Sequence, residues 1–596
     1  MRQRVLTTIL VAALATAGAG SSVTAGSDFE ALIDDIGHTM LARYPQEATD
    51  LGLSEALGLD DRRLDDLSRD YRLETATLAQ DALDRLAMVD VEQLTPDERI
   101  THATVAWYLD DIVTTTEYMD HQYAFNFITG PHVNLPEFLA DIHPLEDLDD
   151  AEAYIARLEA VNEQLAQAMQ WFQRNEERGN LPTERGTTIA SWQAGQLVDA
   201  PESHVLVEDF AARLAAVDLP DSERERLIRE AEDAVRASVV PAYQGVTRLL
   251  YDPSARSDER PGVLHHTGGR SYYPAVLRHH LSMSLSPAKV HEIGLAEVER
   301  VRTELSEALN AAGFEVEALG FAGAVEAASR AAGAVPLRSD ADRAVLLADA
   351  EAFIADTEAA FGDLFTTLPE AAIEVQRPRA GREGGAGAYY RPPPAEGQRP
   401  GIYYLNLGGN AFPLDTYATT NFHEAVPGHH FQLALQRESE SLPLLQRATA
   451  FTGYAEGWAL YAERLAYEAG LYEDDPLGDI GRLRMELLRA ARAVADTGIH
   501  DLGWSRDEAI AYLVEQGFPE EWAASEVDRY VVWPGQAPAY LIGMLEILRL
   551  RDEAQATLGD DFELAEFHDA VLRHGSVPLE VLPSAVAAYV DAAVAA

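Results

Sequence analysis

Asn421-Phe422-His423-Glu424-Ala425-Val426-Pro427-Gly428-His429-His430-Phe431-Gln432 is the most histidine-rich motif of the chain. A His-Glu pair followed by further His resembles the H-E-x-x-H arrangement, in which two imidazoles one turn apart grip zinc and the Glu activates water. Here the fourth position after His423 is Pro427, which cannot ligate. His429 and His430 come two and three residues late. On an unbroken helix His429 would stand about 240° round from His423, and His430 about 10 Å further along, so neither could share an ion with it. Pro427 breaks the hydrogen-bond ladder and Gly428 tolerates unusual dihedrals, so a two-residue bulge can return His429 to the place of the second ligand. His430 then borders the site, binding substrate or orienting the ligands; the opposite assignment, His430 as ligand in place of His429, stays open. The plainer alternative is a helix start with surface histidines. Three His, one Glu, one Pro and one Gly within eight residues, flanked by apolar neighbours, weigh against it.

A zinc site needs a third ligand, and Tyr454-Ala455-Glu456-Gly457-Trp458-Ala459-Leu460-Tyr461-Ala462-Glu463 offers one. Glu456 stands 33 residues after His423 (456 − 423), room for a turn and a returning helix. A carboxylate among Tyr, Trp and Ala is costly to bury unless a cation or donor meets it, and zinc would meet it. Glu463 lies two turns on, on the same face, where it could instead pair with an arginine. Further on, Arg489, Arg492, Asp496 and His500 recur at near-helical spacing. That pattern suits a buried ion-pair ladder as well as catalysis, and His500 could reach the site from the helix end. Asp528-Arg529-Tyr530 and Trp533-Pro534-Gly535-Gln536 lead into a helix bearing Tyr540. Its hydroxyl could stabilise the oxyanion of a metal-assisted attack, although a lone tyrosine is more often core.

Working outward, most segments show helical periodicity. Tyr154, Leu158, Val161, Leu165 and Met169 mark one long amphipathic helix over 150–178. Ser286-Pro287 supplies an N-cap and a first-turn proline for a helix over 288–308. Helices are also expected over 340–368, 442–469, 479–499 and 536–558. Two stretches, 251–269 and 377–400, are rich in turn residues and read as surface excursions rather than domain boundaries. Directly after the second, Ile402-Tyr403-Tyr404-Leu405-Asn406-Leu407 is the best strand candidate, expected as an edge strand able to pair with an extended peptide.

The 596 residues carry a formal net charge of −53, and Lys289 is the only lysine. Such a field repels polyphosphates, which argues against nucleic acid or an anionic membrane surface as partner. The acidity fits a high-GC genome with an acidic soluble surface, or a saline habitat, and names no function. No cysteine is present. Disulfides, thiolate metal ligands, a Cys nucleophile and an acylated Cys are therefore excluded from these residues. Arg2 and Arg4, the mostly apolar run from Val5 to Ala17 and Val23-Thr24-Ala25 before Gly26 read as an export signal, residues 1–25, too short for a membrane span.

HEAVPGHHFQ, EGWALYAERLA, RAARAVADTGIH, RYVVWPGQAPAYLIG and FHDAVLRHGSVPLEVL together resemble the bacterial DUF885 proteins. The likeness runs through nearly the whole mature chain, and the first two blocks are highly specific. That family is similar in turn to helical gluzincin peptidases such as thermostable carboxypeptidases and oligopeptidases. The resemblance implies zinc on His423, His429 and Glu456, Glu424 as general base, and Tyr540 or His500 at the oxyanion. It implies a mainly α, multi-helical, two-lobed zincin-like fold with a small β-sheet beside a central cleft. One catalytic unit over 26–596 is expected, with a helical lobe over 26–280 and a metal-site lobe over 281–596. The expected protein is an exported zinc hydrolase of oligopeptides. Its rivals are a non-catalytic metal- or peptide-binding protein and a metal amidohydrolase acting on a non-peptide amide.

Overall fold

The structure, a computed structural model, describes residues 27–251, 260–378, 387–396 and 399–595. The expected signal at 1–25 and parts of both turn-rich excursions lie outside these residues. Helix accounts for 69% of the described residues, so the architecture is mainly α. The long periodic segment is the helix Leu148–Arg178; the Asp147 carboxylate caps its start and Gly179, at φ 75°, ends it. Ser286 likewise caps the helix Pro287–Ala311. The expected helix over 442–469 is two pieces, Leu444–Ala448 and Thr452–Glu468.

Apolar packing gathers in three places. Phe29, Ile33 and Met40 meet Leu445 near the start of the chain. Tyr154, Leu158, Val161 and Leu165 anchor a second core that runs to Leu250. The largest core begins at Val263, takes in Ile100 and Trp107 from the N-terminal part, and surrounds the histidine motif.

Among the described residues the strands are short. Strand β1 (Ala334–Pro336) pairs antiparallel with β5 (Ala411–Pro413). Strands β2 (Ile373–Gln376), β3 (Ala388–Arg391) and β4 (Gly401–Leu405) form a sheet in the order β2-β4-β3. The expected edge strand is therefore central. It is parallel to β2, antiparallel to β3, and buried at every residue. Ile402, Tyr403, Tyr404 and Leu405 in a row bury both faces, which is the pattern of an inner strand. With both backbone edges occupied, β4 cannot pair with a peptide, and Tyr403 is core.

Two helix pairs position the site. Pro476–His500, buried along nearly its whole length, lies against Pro287–Ala311. Thr452–Glu468 lies against Ala539–Leu558. The second crossing is close because both helices carry glycine there: a Cβ on Gly457 would fall 2.4 Å from Gly543 Cα. Any side chain would force the two helices apart, and with them Glu456 and Tyr540.

Candidate metal centre

The motif helix Tyr417–Glu424 ends at Glu424, and a new helix, His429–Glu438, starts at His429. The expected two-residue bulge is in fact a full break at 425–428, with a cis Val426–Pro427 peptide. Proline removes a donor and glycine permits the close approach. A Cβ on Gly428 would lie 2.0 Å from the carbonyl oxygen of His423, so no other residue fits there. The indole of Trp458 donates to the carbonyl of Pro427 at 2.8 Å, tying the break to the Thr452–Glu468 helix.

This break brings His423, His429 and Glu456 together, one ligand atom from each lying within 4.8 Å of the others. Glu456 Oε2 is 3.6 Å from His423 Nε2 and 3.4 Å from His429 Nε2. Tetrahedral zinc with bonds near 2.1 Å sets ligand atoms about 3.4 Å apart, so the spacing suits the ion. His430 turns away. Its Nδ1 and the Tyr390 hydroxyl hydrogen-bond at 2.8 Å, the backbone of Ala371 meets it as well, and burial pushes its pKa down to about 4.

Glu463 acquires a definite place. It accepts a 2.8 Å hydrogen bond from His423 Nδ1, another of 2.7 Å from Thr419, and one of 3.2 Å from Arg489. A carboxylate behind a ligating imidazole fixes its tautomer and leaves Nε2 for the metal. The expected pairing of Glu463 with an arginine is present, and the same carboxylate also meets His423. Burial works to raise the Glu463 carboxyl, but Arg489 and His423 outweigh it and hold it below the usual range. Burial likewise opposes ionised Glu456, and the two imidazoles override it, keeping the carboxyl low. His423 is pushed down by burial and up, to about 10, by Glu456 and Glu463. The cluster is built to hold a positive charge.

Glu424, next to His423, is buried, and burial with Glu456 raises it despite the imidazoles. Its Oε2 has no hydrogen-bond partner among the described residues, and neither does Glu456 Oε2. Leaving a buried carboxylate oxygen unmatched costs about 1–3 kcal/mol or more. Two such oxygens beside a His–His–Glu set are accounted for by a cation and the water it carries, so the residues fit zinc.

The Tyr540 ring stacks on the His423 ring with centroids 6.3 Å apart. Its hydroxyl accepts from Arg529 at 3.1 Å and Gln536 at 3.4 Å. His500 is not brought to the cluster. Its Nδ1 accepts from the Val263 amide and its Nε2 donates to the Tyr530 carbonyl, so both nitrogens are occupied. It also lies eleven residues beyond Arg489 on one helix, about 16 Å along the axis. The ion-pair ladder is absent too. Arg489 pairs with Glu463 and Arg492 with Glu526, while Asp496 accepts from the Tyr273 hydroxyl and the Gly535 amide.

The sequence alone assigns no role to Thr419, Tyr390, Gln536 or Arg529. The one usable signal was the seven-residue spacing of Glu456 and Glu463 on an apolar helix, which sets both carboxylates on one face. For the others, contacts across 40 residues of sequence or more, or around a tight turn, carried no local sign.

Residues 45–586 match the family described as bacterial protein of unknown function (DUF885). A crystal structure of a candidate lipoprotein from Colwellia psychrerythraea is similar at 31% identity and TM-score 0.89, over 96% of this chain and 100% of that one. A candidate lipoprotein of unknown function from Shewanella oneidensis shares the fold at 18% identity and TM-score 0.67, over 94% and 98% of the two chains. No curated protein sequence matches the chain.

Proposed function

We propose that this chain, which belongs to the DUF885 family, is a zinc-dependent hydrolase that cleaves peptide bonds of oligopeptides. One observation carries the reading: His423, His429 and Glu456 converge beside the buried, unmatched Oε2 of Glu424. Zinc held by those three residues would supply Lewis acidity, making water acidic enough to react near neutral pH and polarising a carbonyl. Glu424 takes a proton from the attacking water. The water oxygen bonds the carbonyl carbon, the C–N bond breaks, and Glu424 returns the proton to the leaving nitrogen. Glu463 and Arg489 hold His423 in register. Tyr540 accepts two hydrogen bonds, which leaves its own O–H to donate to the oxyanion.

Export is part of the proposal. The signal-like residues 1–25 support it, and the two similar structures are of candidate lipoproteins. This sequence has no cysteine for an acyl anchor, and no described helix is long and apolar enough to cross a membrane. Mass spectrometry of the exported protein should find Gly26 at its N-terminus.

The decisive experiment is Glu424→Gln in purified, zinc-loaded protein. Turnover of a peptide library should fall by about 10²–10⁴-fold while zinc stays at one per chain by elemental analysis. Wild-type turnover in that variant would remove the mechanism.

A further inference from the structure

Two tyrosines stand opposite each other beneath the histidine motif, and they differ in their bonding. Tyr390 of β3 and Tyr403 of β4 are directly paired across the strands, so they share one face of the sheet. The Tyr390 hydroxyl meets His430 Nδ1 at 2.8 Å. A Cβ on Gly401 would fall 3.0 Å from the same His430 nitrogen, so the Gly401 face of β4 looks at the motif helices. Tyr403 stands two residues on and lies on that face. It is 0% exposed, yet its hydroxyl has no hydrogen-bond partner among the described residues.

The helix Tyr417–Glu424 carries two acceptors in the same condition. Asn421 and Glu424, one turn apart, lie on one side of it, and both are buried. The Asn421 amide nitrogen donates to the Tyr417 carbonyl at 2.9 Å, which leaves the amide oxygen as the free group. Asn421 Oδ1 has no partner among the described residues, and neither has Glu424 Oε2. Burial, and after it the charges of Glu424 and Tyr417, raise the Tyr403 phenol well above its ordinary range, so its O–H remains a donor. Those two residues flank Asn421 on the same helix face. One donor and two acceptors are thus sealed between β4 and this helix, none of them matched by protein. A water molecule is their complement: it accepts from one and donates to two, and buried waters make about three such bonds to groups the fold leaves unmatched. An ionised carboxylate offers about four acceptor positions, so this bond leaves Glu424 free to meet the water on the metal side.

We infer that Tyr403 is a positioning residue for Glu424, acting through one ordered water that accepts from its hydroxyl and donates to Asn421 Oδ1 and Glu424 Oε2. The water pins the carboxylate from behind and so aims its remaining lone pairs at the attacking water. The inference rests on the hydrolase reading above for the role of Glu424, whereas the water site itself stands without it.

The first measurement is a high-resolution crystal structure of the zinc-loaded protein and of its Tyr403→Phe variant. The wild type should show one water about 2.7–3.2 Å from Tyr403 Oη, Asn421 Oδ1 and Glu424 Oε2, and the variant should lose it. No water there in the wild type overturns the inference, whatever the variant does to folding. The second measurement is turnover of a peptide that the wild type cleaves. Tyr403→Phe removes only the hydroxyl and should lower kcat by about 10- to 100-fold, the range for a group one step behind a metal centre, with KM and zinc content unchanged. A denaturation midpoint below that of the wild type should accompany it, since Asn421 and Glu424 lose a donor. Unchanged kcat with an equal or raised midpoint marks an idle buried hydroxyl and overturns the inference. A change confined to KM, or loss of zinc, overturns the positioning role. The water present in a wild type that cleaves no peptide leaves the site standing and sinks the hydrolase reading. Turnover with no water there does the reverse.

Discussion

Two buried polar clusters lie along the single helix Pro476–His500, and they are made of the same kinds of residue. At Arg489 the helix meets Glu463 and, through it, His423. Two to three turns later, Asp496 and His500 meet Tyr273, Val263, Tyr530 and Gly535. In the second cluster each bond ends on protein. Tyr273 donates to Asp496 at 2.6 Å, and backbone groups satisfy both nitrogens of His500. In the first, Glu424 Oε2 and Glu456 Oε2 have no hydrogen-bond partner among the described residues, and the Nε2 atoms of His423 and His429 converge on Glu456 Oε2 from 3.6 and 3.4 Å. Burial and residue type are shared, so neither marks function. The distinguishing property is whether the polar atoms are satisfied by the fold or converge on a common point.

The largest effect should come from the ligand atoms themselves. His429→Ala and Glu456→Ala should each weaken zinc by orders of magnitude in a metal titration, since a three-ligand site loses an anchor. His430→Ala should keep the metal, because that ring is engaged by Tyr390 and the Ala371 backbone. Tight zinc in His429→Ala would erase the contrast between the two clusters.

A smaller effect belongs to the carboxylate behind the ligand. Glu463→Gln should lower zinc affinity by about 10- to 100-fold, as expected when the group orienting a ligating imidazole is altered. Unchanged affinity would make Glu463 merely the counter-ion of Arg489.

The contrasting cluster should respond in stability alone. His500→Ala strands the Val263 amide and the Tyr530 carbonyl in the core, at a cost of about 2–4 kcal/mol in denaturant unfolding, with zinc affinity intact. Loss of metal in that variant would join the two clusters into one site.

The smallest effect is a pH slope. Burial raises the Asp496 carboxyl to about 7 despite the hydrogen bonds from Tyr273 and Gly535. A folded pKa above the ordinary 3.8 means this group contributes stability below about pH 4 and loses it as pH rises toward 7. Asp496→Asn should remove that component, seen as a smaller fall in melting temperature between pH 4 and 7 than the wild type shows. A slope identical in both proteins would show that Asp496 does not titrate in that range.

Much of this was legible locally. Helices with strong 3.6-residue periodicity and clear caps, such as Leu148–Arg178 and Pro287–Ala311, lie where their apolar spacing and Asp147 or Ser286 predict. His423, Glu424, His429 and Glu456 were identifiable because Pro427 and Gly428 announce a break and because Glu456 sits on an apolar helix. The run 402–407 reads as an edge strand, whereas Gly401–Leu405 lies at the centre of its sheet. An all-apolar run states that both faces are covered, yet not by what.

By itself, then, the sequence determined a mainly α chain, a helix interrupted between two histidines, and a carboxylate in an apolar helix. Each of these follows from periodicity, caps and the backbone chemistry of proline and glycine, which act over a few residues. Only the tertiary structure decided that His430 turns to Tyr390, that Glu463 backs His423, that His500 is sealed by backbone groups, and that Arg529 donates to Gln536 and the Tyr540 hydroxyl. Those outcomes depend on which polar atoms meet across tens to hundreds of residues. Hydrogen bonds are settled by ångström distances and angles that helix crossings such as Gly457 on Gly543 fix, and residue spacing along the chain carries no record of them.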